Sequence, residues 1–143
     1  MLALLVAVMQ IRKILLNNKI KMKTTKIIFW IATTIIFLGE GVLPALTFHS
    51  EMSIQGITSL GYPVYFVTLL TVFKVLGAIV LIVPQIPNRV KEWAYAGFMI
   101  DFISAFVSIW VVAGFNAGLA FPLIAMIVLI LSYVSYSKMQ ANK

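Results

Sequence analysis

Three ionisable side chains stand inside otherwise apolar stretches of this sequence: Glu40, Lys74 and Asp101. A charge at the centre of a membrane-spanning helix costs about 2.5–3.5 kcal/mol on insertion scales, so we expect all three to face the protein interior and find partners. Two acids and one base leave one negative charge uncompensated, and protonating one carboxyl group removes it at the lowest cost. The three residues therefore predict a site that holds a proton or binds a polar or cationic ligand.

The same cluster also has a purely structural interpretation, because buried ionic groups sometimes only fix the register of packed helices. The rise per residue places Lys74 and Asp101 each about 13 Å deep, measured from the membrane surface at which the second and third spans are connected. Glu40 lies about 8 Å deeper from the same surface. Side chains lean toward the N-terminus of their helix, which brings Lys74 and Glu40 toward each other. The sequence leaves both interpretations open.

Four apolar segments of about 20 residues carry these side chains and predict an all-α fold, a four-transmembrane-helix bundle with up-down topology. Each segment is long enough to cross a hydrocarbon core of about 30 Å at about 1.5 Å per residue. Lipid offers no hydrogen bonds to the backbone, so such spans are helical. The predicted spans are residues 27–46, 64–83, 93–115 and 118–136.

The distribution of Lys and Arg predicts how the bundle lies in the membrane. Basic residues precede the first span, separate the second from the third and follow the fourth, whereas the other two connections have none. The positive-inside rule places both ends of the bundle and the 84–92 loop in the cytoplasm. The residues concerned are Lys19, Lys21, Lys23, Lys26, Arg89, Lys91, Lys138 and Lys143.

Two segments lie outside the spans. Residues 1–21 form a short N-terminal extension that is apolar first and basic afterwards, the reverse of a secretory signal. Because Met22 begins a stretch that resembles a translation start, we interpret the extension either as a start-site artefact or as a basic interfacial helix on the inner membrane surface, ahead of a membrane domain at 22–143. The connection 47–62 is predicted to be a surface turn, with a short interfacial helix as the alternative.

The composition excludes several kinds of chemistry for this chain alone. The absence of Cys removes thiolate catalysis, iron–sulfur clusters and Cys-ligated zinc. The single histidine, His49, cannot supply bis-histidine haem ligation, and no catalytic, nucleotide or metal motif occurs. The sequence therefore leaves enzyme activity open while favouring its absence, and we expect no metal or cofactor bound by this chain alone. The net charge of +7 lies at the ends and in one loop, which indicates topology and not nucleic-acid binding.

An ordered series of residues in spans two and three resembles a known family. The series is Gly61-Tyr62-Pro63, Lys74-Val75-Leu76-Gly77-Ala78, Pro84, Lys91-Glu92-Trp93-Ala94-Tyr95-Ala96-Gly97 and Asp101. It is similar to the DoxX-like family of small bacterial four-helix membrane proteins, and the resemblance covers about residues 23–139. Many family members place a His after a Ser near the outer end of helix three. This chain has Ser108-Ile109 there, so a role for that imidazole does not carry over.

The resemblance implies a location in the bacterial cytoplasmic (inner) membrane. It also implies a non-catalytic accessory or anchor subunit of a membrane redox or stress-response complex, with a membrane or peripheral redox enzyme as partner. Such a subunit could bind a quinone or lipid near Lys74, which would donate a hydrogen bond to a quinone carbonyl. The residues that would line that pocket are Phe66, Phe73, Phe102 and Phe106, but the sequence favours a packed aromatic core over a pocket at these positions.

Two other functions stay open from the sequence. A small proton-coupled exporter or permease is suggested by Glu40 in the first of four helices, and a purely structural membrane bundle would need no ligand. The sequence does not determine whether the chain forms a homo-oligomer.

Overall fold

A computed structural model describes all 143 residues and shows a chain that is helical almost throughout. Four helical stretches are long and apolar enough to cross a membrane: Leu2–Thr47, Val64–Ile82, Asn88–Ala113 and Ala117–Ala141. No strand occurs. The predicted all-α fold with four membrane-spanning helices is confirmed.

Eight helical elements make up these stretches and the connection after the first. They are α1 (Leu2–Ile36), a π-helical segment (Phe37–Val42), α2 (Leu43–Thr47), α3 (Glu51–Thr58), α4 (Val64–Ile82), α5 (Asn88–Ala113), a 3-10 turn (Ala117–Leu119) and α6 (Ala120–Ala141).

The four long stretches pack side by side in a ring. α1 packs along α6, α6 along α5, and α5 along α4, while α4 returns to the π-helical segment of the first stretch. The connection that contains α3 and the turn before α6 lie at one end of the bundle, which we call the α3 end. The short connection at 83–87 lies at the opposite end.

An aromatic core fills the bundle toward the end opposite α3. It includes Phe29 of α1, Phe98 and Phe102 of α5, and Tyr136 of α6, all of which are buried. Most other large apolar side chains of the helices face outward. That distribution suits a lipid environment, because lipid tails solvate apolar side chains as well as a protein core does.

α1 extends well beyond the predicted first span. It begins at Leu2, and its first buried side chain is Phe29. At about 1.5 Å per residue, the 46-residue stretch Leu2–Thr47 is about 69 Å long, more than twice the hydrocarbon thickness. The N-terminal extension 1–21 thus continues the first span without a break, and its role as a separate segment stays a prediction.

The predicted 84–92 loop is shorter than expected, because α5 begins at Asn88 and not at residue 93. Lys91 therefore lies in the first turn of α5, where it is 3% exposed. Its Nζ donates a hydrogen bond to the carbonyl of Leu81 at 2.9 Å. Leu81 is in the last turn of α4, whose carbonyls have no partner within their own helix. Lys91 thus caps α4 from the neighbouring helix.

The connection 47–62 contains a helix, so the predicted surface turn is wrong and the short-helix alternative is right. α3 spans Glu51–Thr58 and packs against α4. Ser50 precedes it in an extended conformation and accepts a hydrogen bond from the Ser53 N–H at 3.2 Å, which is the usual way a serine caps the N-terminus of a helix.

The first stretch widens into a π-helical turn at Phe37–Val42, two residues before Pro44. Leu43 donates its N–H to the carbonyl of Leu38, five residues back. Proline has no N–H and interrupts the α-helical hydrogen-bond ladder, and a π turn is one way for a helix to accommodate that interruption. Gly41 in this turn packs so close to α4 that a Cβ placed on it would come within 2.7 Å of Ala78 Cβ.

We expect Gly41→Ala to lower the free energy of unfolding by roughly 1–3 kcal/mol, because the added methyl group overlaps Ala78 in a packed interface. Gly39→Ala in the same turn is the matched control, since nothing lies within 4 Å of a Cβ at that position. Thermal denaturation in detergent compares the two variants. Equal Tm values would contradict the close approach of the first stretch to α4.

Candidate functional site

Glu40, Lys74 and Asp101 meet inside the bundle and form what we call the ionic cluster. Lys74 Nζ donates a hydrogen bond to Glu40 Oε2 at 2.6 Å and lies 3.1 Å from Asp101 Oδ2. The side chains of Glu40, Lys74 and Asp101 are 6%, 20% and 18% exposed. The structure thus brings together all three residues of the site predicted from the sequence, with Lys74 between the two carboxylates.

Each member of the ionic cluster comes from a different element. Glu40 belongs to the π-helical segment, Lys74 to the middle of α4, and Asp101 to the middle of α5. Lys74 and Ala78 are one turn apart on the same face of α4. The close contact of Gly41 with Ala78 therefore holds the neighbouring Glu40 beside Lys74.

The two carboxylates of the cluster have different environments. Glu40 is hydrogen-bonded to Lys74, whereas Asp101 accepts no hydrogen bond. Asp101 Oδ2 is buried and touches the ammonium group at ion-pair distance, but the direction of the contact is not that of a hydrogen bond. A buried acceptor without a donor is unfavourable. Asp101 is therefore the member with unused capacity for a proton or a donor.

Two cavities meet at the ionic cluster. One, of about 250 Å³, lies between the π-helical segment, α2, α3 and α4, and we call it the α3-side cavity. The other, of about 550 Å³, runs between α4 and α5, and we call it the lateral groove. Lys74 lines both, Glu40 lines only the α3-side cavity, and Asp101 lines only the lateral groove.

The α3-side cavity is polar for a membrane protein. Hydroxyl side chains from three elements line it: Thr47 of α2, Ser53 of α3 and Thr71 of α4. α3 also contributes Gly56 and forms one wall of the cavity. Hydroxyl groups beside a carboxylate provide the several polar partners that an internal water requires.

The lateral groove is apolar along most of its length. Phe66 and Phe73 of α4 line it opposite Trp93 of α5. Phe73 and Trp93 are 65% and 82% exposed, so the groove opens toward the surface that lipid covers. An apolar groove with a few charged groups in its wall is the usual form of a site for an amphipathic ligand.

The alternative in which Phe102 and Phe106 line this pocket is wrong, whereas Phe66 and Phe73 do line it. Phe102 is 2% exposed and packs in the core, with its ring 5.9 Å from that of Phe98. Phe106 lies edge-on to Trp110, with 5.8 Å between ring centroids. On α5, the groove face carries Asp101, and the next residue along a helix points about 100° further round. Nearness to Lys74 in depth was therefore not enough to place a ring in the groove.

Comparison with known proteins agrees with this architecture. A sequence model of the DoxX-like family matches residues 28–132, which include the whole ionic cluster. This chain belongs to the DoxX-like family. The match leaves out the N-terminal extension and begins shortly before the first buried residue of α1 in this DoxX-like protein. No curated protein and no solved structure matches the chain.

A second polar network, which the sequence did not predict, joins α1, α5 and α6 of the DoxX-like bundle. Ser132 Oγ lies 2.8 Å from Thr33 Oγ1 and 2.7 Å from the Tyr95 hydroxyl, and all three residues are buried. Isolated hydroxyl residues in apolar spans are common between membrane helices, and hydrogen bonds of this kind contribute about 0.6 kcal/mol on average. Their pairing depends on which helices are neighbours, so sequence offered no signal for it.

We expect Lys74→Met to destabilise this DoxX-like protein by about 3–5 kcal/mol, because two buried carboxylates lose their only counter-ion. Adding Glu40→Gln should recover more of the loss than adding Asp101→Asn, since Glu40 is the closer and less exposed carboxylate. Thermal denaturation in detergent of the single variant and both double variants measures the difference.

Lys138→Met is the matched control for that comparison, because Lys138 lies exposed in the last turn of α6. It should leave the Tm nearly unchanged. If the second substitution adds its own loss to that of Lys74→Met in both double variants, the three side chains do not act as one network.

Proposed function

We propose that this chain is a non-catalytic accessory or anchor subunit of a redox or stress-response complex in the bacterial inner membrane, and that its lateral groove binds a quinone or lipid there. The single observation that carries the proposal is the groove itself. It is apolar along Phe66 and Phe73, opens toward lipid, and has Lys74 and Asp101 in its wall about halfway along. A DoxX-like membrane protein with such a groove can present a membrane-soluble molecule to a partner.

The charged part of the groove suits a head group that both accepts and donates hydrogen bonds. An ammonium group has three donors. Glu40 takes one donor of Lys74 and Asp101 lies beside the group, so a donor is left for a carbonyl or phosphate oxygen. Asp101 accepts no hydrogen bond from the protein and can accept one from a hydroxyl group. Quinones, quinols and many lipid head groups carry these functions.

The proposal assigns electron transfer to a partner protein, because this chain has no Cys and a single His. In the topology predicted from the basic residues, the exposed N-terminal part of α1 extends into the cytoplasm and offers a surface to a peripheral enzyme. Purification from native membranes with neither a stable partner nor a bound quinone or lipid would count against this assignment.

A reporter for the groove is already present in it. Trp93 lines the groove, whereas Trp30 and Trp110 do not, so Trp30→Phe/Trp110→Phe leaves one useful fluorophore. We expect a short-chain quinone to quench Trp93 saturably in nanodiscs. Lys74→Met should weaken the apparent affinity by about tenfold, the equivalent of about 1.4 kcal/mol and of one lost hydrogen bond to a charged group.

Phe73→Ala should also weaken quenching, because Phe73 forms the apolar wall of the groove. Phe115→Ala is its control, since Phe115 is 92% exposed in the turn before α6 and lies outside the groove. Quenching that does not saturate, and that is the same in all variants, would show only partition of the quinone into the bilayer and would refute the groove as a binding site.

A small proton-coupled exporter or permease is the second candidate, and the α3-side cavity is the observation that favours it. The cavity leads from the α3 end to Glu40 in the first span. The strong asymmetry of Lys and Arg argues against an antiparallel dual-topology dimer, the arrangement of small multidrug transporters. A purely structural bundle is the third candidate and requires neither cavity.

If the chain is an exporter, Glu40→Gln should abolish proton-driven flux of a cationic substrate in proteoliposomes, since the amide cannot exchange a proton. Glu51→Gln is the control, because Glu51 is exposed on α3 and does not line the cavity. Identical flux in both variants would remove Glu40 from any transport mechanism. If apolar residues replace the whole ionic cluster without loss of complex assembly or ligand binding, the structural interpretation stands.

A further inference from the structure

The ionic cluster is the only polar connection between the two cavities. Lys74 and Leu70 are the two residues that line both, and of these only Lys74 is polar. Glu40 Oε2, Lys74 Nζ and Asp101 Oδ2 follow one another at 2.6 Å and 3.1 Å. Glu40 and Lys74 are placed for direct proton transfer, and Lys74 and Asp101 are close enough for it once the ammonium group rotates an N–H toward Asp101.

The charge of the cluster requires a proton, and the two cavities differ in how they can supply one. Two carboxylates and one ammonium group carry a net negative charge, which one proton removes. The α3-side cavity carries hydroxyl groups that can hold water, whereas the lateral groove opens toward lipid. Water therefore reaches Glu40 more easily than Asp101.

We propose that the ionic cluster is a proton relay between the two cavities. Glu40 exchanges a proton with water in the α3-side cavity, and Asp101 exchanges one with a hydroxyl or amine head group in the lateral groove. In each transfer toward the α3 end, Lys74 passes one N–H proton to Glu40 and takes the proton of Asp101. Lys74 starts and ends as an ammonium group, so one proton moves and no other species is consumed.

The residues around the ionic cluster add no further ionisable group, so the relay consists of these three side chains. No other ionisable side chain lines either cavity. α3 lines the α3-side cavity with Ser53, Gly56 and Ile57, and the fourth stretch lines it with Phe121, so neither brings a further charge. Glu51 and His49 lie near α3 but outside the lining. The ligand half of the relay rests on the groove binding proposed above, whereas the path from Glu40 to Asp101 does not.

Dicyclohexylcarbodiimide tests the relay, because this lipid-soluble reagent reacts with a protonated carboxyl group in apolar surroundings. The full chain is reconstituted in vesicles whose inner and outer pH are set separately, and trypsin access to the basic residues at 12–26 reports its orientation. Mass spectrometry follows the label on Asp101. We expect the labelling of Asp101 to fall by up to about tenfold per pH unit as the pH on the α3 side rises. A change of pH on the other side should leave the labelling unchanged.

Glu40→Gln should remove the dependence of Asp101 labelling on the pH at the α3 end, while Glu51→Gln keeps it. The measurement on the unaltered protein decides between these outcomes even if Glu40→Gln does not fold.

Three results would overturn the relay. Labelling of Asp101 could follow the pH of the opposite side, follow both sides equally, or not occur at all. If Trp93 is quenched saturably but Asp101 labelling shows any of these three results, the relay is refuted and the groove remains a binding site. If Asp101 labelling follows only the pH at the α3 end but Trp93 is not quenched, the relay stands and the proposed groove ligand is refuted.

Discussion

Ionisable side chains inside a bundle that lipid surrounds must neutralise one another, and this requirement determines how the first three spans meet. Lys74 reaches Glu40 only where α4 lies against the first span, and it reaches Asp101 only where α5 lies against α4. Two glycines allow these approaches. A Cβ at Gly41 would come within 2.7 Å of Ala78 Cβ, and a Cβ at Gly77 would come within 2.9 Å of the Phe98 ring. Close helix packing and charge pairing are therefore one feature of this fold.

Depth along a helix could be predicted from this sequence, but rotation about the helix axis could not. Rise per residue was enough to bring Glu40, Lys74 and Asp101 to a common region, because charges in apolar spans are few and must find one another. The sequence could not show which of Phe102 and Phe106 faces α4, because α5 is largely apolar on both its inward and its outward sides and has no amphipathic pattern.

Other features depend on neighbours in space and carry only weak signals in the sequence. Pro44, two residues after a turn that contains two glycines, is a sequence signal from which the π-helical segment could have been predicted, since proline interrupts the hydrogen-bond ladder. The sequence carried no signal for the hydrogen bond that Lys91 makes with the end of α4. The positive-inside rule explains its position at a membrane surface, but only the structure shows that its ammonium group turns inward to the carbonyl of Leu81.

The unbroken first stretch has a mechanical consequence for the ionic cluster. An α-helix is stiff over a few tens of ångströms, so the exposed part of α1 and the part that packs on α6 turn as one rod. A torque on the exposed part reaches Ile36 and then the wider turn that holds Glu40. That turn either rotates, and swings the carboxylate about the helix axis, or absorbs the twist. The first helix thus acts as a lever on the buried charge to the extent that this wider turn transmits the twist.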